Sequence, residues 1–501
     1  MLLSDFDSYI KGTKTFKIND QSLESVRASH KFLENFAKDK IIYGINTGFG
    51  PMAQYKIAET DQVQLQYNLI RSHASGQGAP LNPSYTKAVM LCRVNTLCLG
   101  FSGVSIDVVK QLETYIQNEI YPIIPTHGGV GASGDLVQLA HLALGLIGEG
   151  TCWYKGKIEP VEEVLKELEI APLELKLRDG LALINGTSCM SGIGMINLID
   201  AQKLLEWSTK LGAIINELVE SYDDSFSEPL NASKKHPGQQ TVARNMRKAL
   251  KDSLRIKKRE EHLFKNSENE SSIPNREKVQ EYYSFRCIPQ ILGPILDEWT
   301  ETKTILENEI NSANDNPIID VEKQNVYHGG NFHGDYVSYA MDKLKIGITK
   351  LGMLSERQLN YLLNDKLNDR FPPFLNMGKL GFNFGIQGIQ FTATSTAAEN
   401  QSLSFPMSVH SISNNNDNQD IVSMGTNAAS IFKNVLDNTF EVIAIESIAV
   451  AQAIDCLPSQ EGLSTTAKEF YKEIRTLVKP ILDDRPLSSE ISGLKNHIKL
   501  N

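Results

Sequence analysis

The amino-acid sequence predicts an all-α protein, and three features carry that prediction. Val337, Met341, Leu344, Ile348 and Leu351 fall on one helical stripe, and residues 426–456 form a second long apolar-rich run. Leu136, Leu139, Ala140, Ala143, Leu144 and Ile147 repeat the spacing in a shorter buried helix. Strand signal is slight, reduced to one alternating stretch, 151–160, that turns at Lys155 and Gly156. Long helices with few strands between them pack as a bundle. A chain of 501 residues has room for more than one lobe. We read an N-terminal lobe over 1–200 and a long-helix bundle with C-terminal helices over 201–501.

In chain order, the first ~40 residues form a small leader with Leu23, Val26, His30 and Leu33 at helical spacing, its role being packing. Its acidic start, MLLSDFDSYIKG, lacks the apolar core of a signal peptide, and no stretch is long enough to span a bilayer. A net charge of -10 argues against nucleic acid or an anionic membrane as partner. The six cysteines form no C-x-x-C pair, which indicates neither a zinc cluster nor a disulfide framework and makes a reduced cytoplasm the expected home. Residues 41–51, IIYGINTGFGP, are a Gly- and Asn-rich loop, and 61–99 read as helical throughout. Residues 244–278 mix both charges without an aromatic platform and read as a solvated excursion. Gln280, Tyr283 and Arg286 are spaced to share one side of a helix or turn, and an arginine fork suits a carboxylate. His328 and His333 lack the spacing of helical zinc ligands and no H-E-x-x-H occurs, so no metal is expected.

The stretch 128–149, GGVGASGDLVQLAHLALGLIGE, holds the chemistry. Gly128, Gly129, Gly131 and Gly134 crowd around Ala132 and Ser133, and Asp135 stands where a helix N-cap belongs. Three readings compete. Gly129, Gly131 and Gly134 spell G-x-G-x-x-G, but the preceding YPIIP carries Pro122 and Pro125 and makes a poor strand, and no acidic partner ends a second strand. A glycine turn that only caps a helix is the plain alternative. In the third reading the Gly134 nitrogen attacks the Ala132 carbonyl and two waters leave, closing Ala132, Ser133 and Gly134 into a methylidene-imidazolone. The helix dipole beyond Asp135 would favour nucleophilic attack on that ring.

This stretch resembles the prosthetic-group segment of the aromatic amino acid ammonia-lyases, which act on histidine, phenylalanine or tyrosine. The resemblance runs on in one order through YGINTGFGP (43–51), NLIRSHASGQG (68–78), LALINGTS (181–188), YYSFRCIPQ (282–290), NSANDNP (311–317), GGNFHGD (329–335) and NNNDNQDIVSMG (414–425). It is strongest to bacterial tyrosine enzymes. It implies the fumarase/aspartase-like type of helical bundle, with the ring loop and a lid loop in the N-terminal lobe. It also implies a homotetramer with active sites shared between subunits, an aromatic amino acid as substrate, and no cofactor beyond the ring made from Ala132-Ser133-Gly134.

Residue by residue, the resemblance makes Tyr43 the base on a lid, to be kept deprotonated by nearby positive charge or hydrogen bonds. Tyr283 shares in proton handling or polarises the ring, and Arg286, with Gln280 beside it, fixes the substrate carboxylate. Glu281-Tyr282 stands where other members have Asp-Pro. Asn185 sits near the ring and Phe332 packs against ring or substrate, while Asn314 to Pro317 can also be an ordinary turn. Ser72 and His73 line the side-chain pocket; histidine enzymes carry Ser-His there, as do some bacterial tyrosine enzymes, whereas many tyrosine and phenylalanine enzymes carry His-Leu and Phe-Leu. Asn415, Asn418 and Gln419 complete the substrate-binding set. Histidine-specific relatives tend to have Glu where this chain has Gln419, so tyrosine is expected ahead of histidine, and an aromatic aminomutase is the further alternative.

Overall fold

A computed structural model describes residues 1–264 and 278–500. Helices make up 59% of it and the few strands are short. The fold is all-α, and the five stripe positions Val337, Met341, Leu344, Ile348 and Leu351 are all fully buried. The chain divides into two compact units: residues 1–199, 302–343 and 406–433 form the first, and 200–301, 344–405 and 434–501 the second. Segments 302–343 and 406–433, which a cut at residue 200 assigns to the second lobe, thus return to the first unit. Among the described residues the six cysteines are free, no helix is long and apolar enough to cross a membrane, and no group of three or more His, Cys, Asp and Glu is placed to hold a metal ion.

In the first unit the leader folds as helices Leu3–Ile10 and Asp20–Phe36. Leu33 joins Ile42, Ile45, Ile319 and Val326 in a buried cluster, so the leader supports the root of the loop that bears Tyr43. The helix expected across 61–99 is two helices, Gln62–His73 and Pro83–Leu97, split by strand Gln77–Pro80. Pro83 starts the second helix behind the Asn82 cap, since proline is tolerated at a helix's first turn. The strand pairs antiparallel with Pro125–His127, which replaces the parallel βαβ arrangement a dinucleotide site requires. The hairpin around Lys155 and Gly156 is present as Thr151–Tyr154 with Lys157–Pro160, and Tyr121–Pro122 adds a third strand. Helices Gln62–His73, Leu136–Leu146 and Asp179–Ile184 pack on one another and form the frame of the site.

In the second unit, helix Thr465–Leu477 packs against Pro237–Ala249 and Ser488–Leu500, with Phe470 and Ile474 in the core and Trp207 edge-on to Phe470 at 6.1 Å. The charged excursion read over 244–278 lies partly outside the described residues. Its described beginning is not simply solvated: it is the end of an amphipathic helix that buries Met246, with Leu250 buried just beyond. Glu446, fully buried in helix Gly425–Asp455, has its carboxyl pushed up to about 8 by burial, partly offset by the Ser355 hydroxyl. The folded state therefore favours the neutral acid, whereas the unfolded chain ionises near 4.5. Stability is lost as pH rises from the lower value to the higher and stays lost above it, a difference worth on the order of 5 kcal/mol. Glu446→Gln is expected to raise Tm over the parent at pH ~9 and to leave it unchanged near pH ~4, read by thermal melts across pH.

Candidate active site

The glycine loop ends in a close backbone crossing. Gly134 has φ +72° and pairs with Gly186, and a Cβ on it would lie 2.1 Å from the Gly186 carbonyl oxygen, so only glycine fits. The Asp135 N–H donates to that same carbonyl at 2.8 Å. Asp135 occupies the N-cap position of Leu136–Leu146 but makes no side-chain cap bond there. Its carboxylate instead accepts the Cys189 and Met190 N–H groups at 2.9 and 2.8 Å, at the start of helix Ser188–Leu218, and the Thr426 hydroxyl. An anion at a helix N-terminus satisfies orphan donors and the dipole together. Burial pushes the Asp135 carboxyl up to about 6 against those donors, because the group is fully enclosed.

Ser133 is addressed from two sides. Asn185, just past helix Asp179–Ile184, donates to the Ser133 carbonyl oxygen at 3.0 Å, and the Gln419 amide donates to Ser133 Oγ at 3.0 Å. The Asn185 amide is itself oriented by the Asn316 N–H, 2.7 Å from its Oδ1. Asn316 belongs to a buried segment held by Arg178, whose guanidinium meets Asp315 at 3.4 Å and donates to the Asn316 and Pro317 carbonyls at 2.9 and 3.2 Å. So Asn314 to Pro317 is a cornerstone, with Asn314 bonding Thr187 at 2.8 Å and meeting Arg93 at 3.4 Å. Ala132 is buried in a small cluster with Val422 and Met424, and the Met424 N–H donates to Val130. These contacts fit the cyclised group the resemblance implies: the backbone is bent at glycine, one amide would withdraw charge at the carbonyl left on such a ring, and another would steady the hydroxyl lost in forming it.

Tyr43 lies between the buried anchors Ile42 and Ile45, half-buried, with its ring edge-on to Phe49 at 6.2 Å. Its phenolic oxygen accepts the Gly50 N–H at 3.2 Å. The cation of Arg178 is within electrostatic reach of Tyr43; burial lowers the guanidinium's pKa, and Asp315 and Tyr43 oppose that. Gly50 has φ +53°, and a Cβ there would lie 2.9 Å from Asn415 Nδ2. Asn415 thus abuts the lid, while Gln419 of the same loop reaches Ser133. Gly50→Ala is expected to lower kcat ~10-fold with the ring still formed, because left-handed strain of ~1 kcal/mol and the clash both displace the N–H from the phenol; kcat and intact mass together check this.

At the end of helix Gln62–His73, His73 Nδ1 lies 2.9 Å from the Leu69 carbonyl and 3.0 Å from Ser72 Oγ. A carbonyl only accepts, so Nδ1 carries the proton of the neutral ring and Nε2 keeps its lone pair. Phe332 is half-buried in the turn before helix Asp335–Leu363, and Asn418 donates its N–H to the Asn415 carbonyl at 3.2 Å. Gln280, Tyr283 and Arg286 belong to the second unit. Only Tyr283 and Arg286 share a helix there, Tyr283–Arg286, so the three do not line one helical side. The Arg286 guanidinium sits over the Tyr283 ring at 4.7 Å, and that ring is 70% exposed. Thr426, Gly186, Arg178 and Gly50 are the supporting residues that motif reading passed over, and it takes Asp135 only as a cap.

Chains of known structure share this architecture. A tyrosine aminomutase from Streptomyces globisporus superposes with a TM-score of 0.96 at 34% identity over 100% of this chain and 95% of its own. A histidine ammonia-lyase from Trypanosoma cruzi gives 0.88 at 31% over 100% and 92%. These are helical lyases of the fumarase-like type, and the fold is theirs. Histidine ammonia-lyase of Staphylococcus aureus is 37% identical over 100% of this chain and 96% of its own length. The family model described as aromatic amino acid lyase matches residues 1–476, and the chain belongs to that family.

Proposed function

We propose that this enzyme deaminates L-tyrosine without oxidation, giving p-coumarate and ammonia. The observation that carries the substrate choice is the 2.9 Å contact of His73 Nδ1 with the Leu69 carbonyl: with Nδ1 committed there, Nε2 offers an acceptor suited to a phenol hydroxyl. Gln419 supports it, since a neutral amide directed at Ser133 Oγ supplies no carboxylate for a protonated imidazole. An acceptor left unpaired costs ~1–3 kcal/mol, so phenylalanine should be turned over ~10- to 100-fold less efficiently.

Ala132, Ser133 and Gly134 would form the ring, and the chemistry it would supply is an electron-poor alkene able to turn the substrate amine into a better leaving group. Asn185, which donates to the Ser133 carbonyl oxygen, would hold that carbonyl in the ring; Tyr43 removes the β-proton, and Arg286 holds the carboxylate, with Gln280 and Tyr283 alongside. Ser72 and Phe332 shape the side-chain pocket, and Asn415 and Asn418 shape the loop that presents Gln419. A weakly acidic β-proton makes orientation and preorganised donors the main sources of rate. The working enzyme is a homotetramer with sites shared between subunits, which light scattering checks. Ultraviolet spectra with tyrosine, phenylalanine and histidine in parallel test the substrate. Preferential urocanate formation overturns the tyrosine reading, and a β-amino acid appearing ahead of acrylate assigns an aminomutase.

A further inference from the structure

The pair Ser72-His73 sits at the end of one helix, while the electrophile loop opens another, and two ties bracket the pair, one onto the turn just beyond that second helix and one onto the helix itself. On the near side, Arg71 forks onto Glu149, with Nη2 2.6 Å from Oε1 and Nε 3.2 Å from both carboxylate oxygens. On the far side, the Gly76 N–H donates to His141 Nε2 at 3.0 Å. His141 and Val137 are one turn apart on helix Leu136–Leu146, and both press on Gly76: a Cβ there would lie 3.1 Å from His141 Nε2, 3.2 Å from Val137 Cγ1 and 3.0 Å from the His127 carbonyl. The next residue, Gln77, is in register with His127 in the strand that leads into the glycine loop. Gly76 itself is buried, whereas the Arg71 and Glu149 side chains are 48% and 40% exposed, so the His141 bond is the firmer of the two ties.

We propose that His141 is a specificity-positioning residue: as a neutral acceptor it latches the turn after His73 to the helix carrying the electrophile loop, fixing how far the side-chain pocket stands from the reacting carbon. The latch works because a hydrogen-bond acceptor discriminates a phenol from a phenyl group only when held in place. A turn free to shift would follow either ring. His141 acts through the Gly76 N–H, so its effect appears in KM and selectivity more than in kcat. Helix Leu136–Leu146 starts at the loop, which makes the distance from latch to electrophile a property of one rigid element.

The inference rests on the tyrosine reading, and its test separates the two. In the full-length enzyme, His141→Leu should still lose two waters by intact mass. It should raise KM for tyrosine and reduce the tyrosine-over-phenylalanine preference ~10-fold, with kcat changed no more than ~3-fold, and speed amide exchange in the peptide spanning Gly76. His141→Gln, whose Oε1 can accept the same N–H, should recover most of the preference. Should the Leu variant fold poorly, Glu149→Gln probes the outer tie and should move selectivity the same way by ~2-fold. Faster Gly76 exchange with unchanged selectivity, unchanged exchange, or loss of ring formation each overturns the latch. A parent enzyme that prefers histidine refutes the substrate reading instead, and the latch is then judged by Gly76 exchange and by selectivity among the substrates it does accept.

Discussion

Ser133→Ala is expected to abolish turnover while the chain folds as before. The hydroxyl is the only source of the exocyclic alkene carbon's unsaturation, since cyclisation at Gly134 and loss of the Ala132 oxygen leave a saturated methyl group when the side chain is alanine. The uncyclised chain loses one bond, from the Gln419 amide to Ser133 Oγ, and the cyclised parent has already given up that hydroxyl. Such a bond at a half-buried site is worth ~1 kcal/mol, which moves Tm of a chain this size by no more than a few degrees. The backbone contacts that shape the loop, from Asn185 to the Ser133 carbonyl and from Asp135 to Gly186, do not involve the side chain. Intact mass, melting temperature and product absorbance on one sample decide the matter: normal acrylate formation would falsify the cyclised group, and a collapsed fold would show that Ser133 is structural.

Tyr43→Phe is expected to lower kcat by ~10²- to 10⁴-fold, the usual worth of a positioned general base, with KM nearly unchanged and the ring intact. Phenylalanine keeps the edge-on contact with Phe49 and the anchors Ile42 and Ile45, so the lid stays in place and only the oxygen goes. The Gly50 N–H then points at nothing, a small cost beside the lost proton acceptor. A fall of only a few-fold would move the base elsewhere, Tyr283 being the next phenol to test.

Much of this was legible in the residues before any coordinates. The buried stripe from Val337 to Leu351, the hairpin at Lys155 and Gly156, and the Ser133 loop all follow from periodicity, turn chemistry or resemblance. What was not legible depended on partners distant in the chain. Periodicity through 61–99 hid the strand at Gln77, because helical spacing on either side of a short interruption continues the pattern. Asp135 was read by its local place as a cap, yet its carboxylate serves a helix that begins at Ser188, which no local pattern reports. Asn415 and Gln419 stand in one polar run, and only the left-handed turn at residues 415–417 turns one towards Gly50 and the other towards Ser133. Arg178 gave no signal at all, being one cation among many until its burial with Asp315 was seen.

Gln419 meets Ser133 from 286 residues downstream, and Thr426 reaches Asp135 from 291. On the proposed reading, a polypeptide still emerging from the ribosome holds an ordinary, unreactive Ala-Ser-Gly until synthesis has passed the last of these positions. Self-modification is thereby deferred until residue 426 has been made, and a fragment ending before residue 414 should remain chemically inert however long it persists.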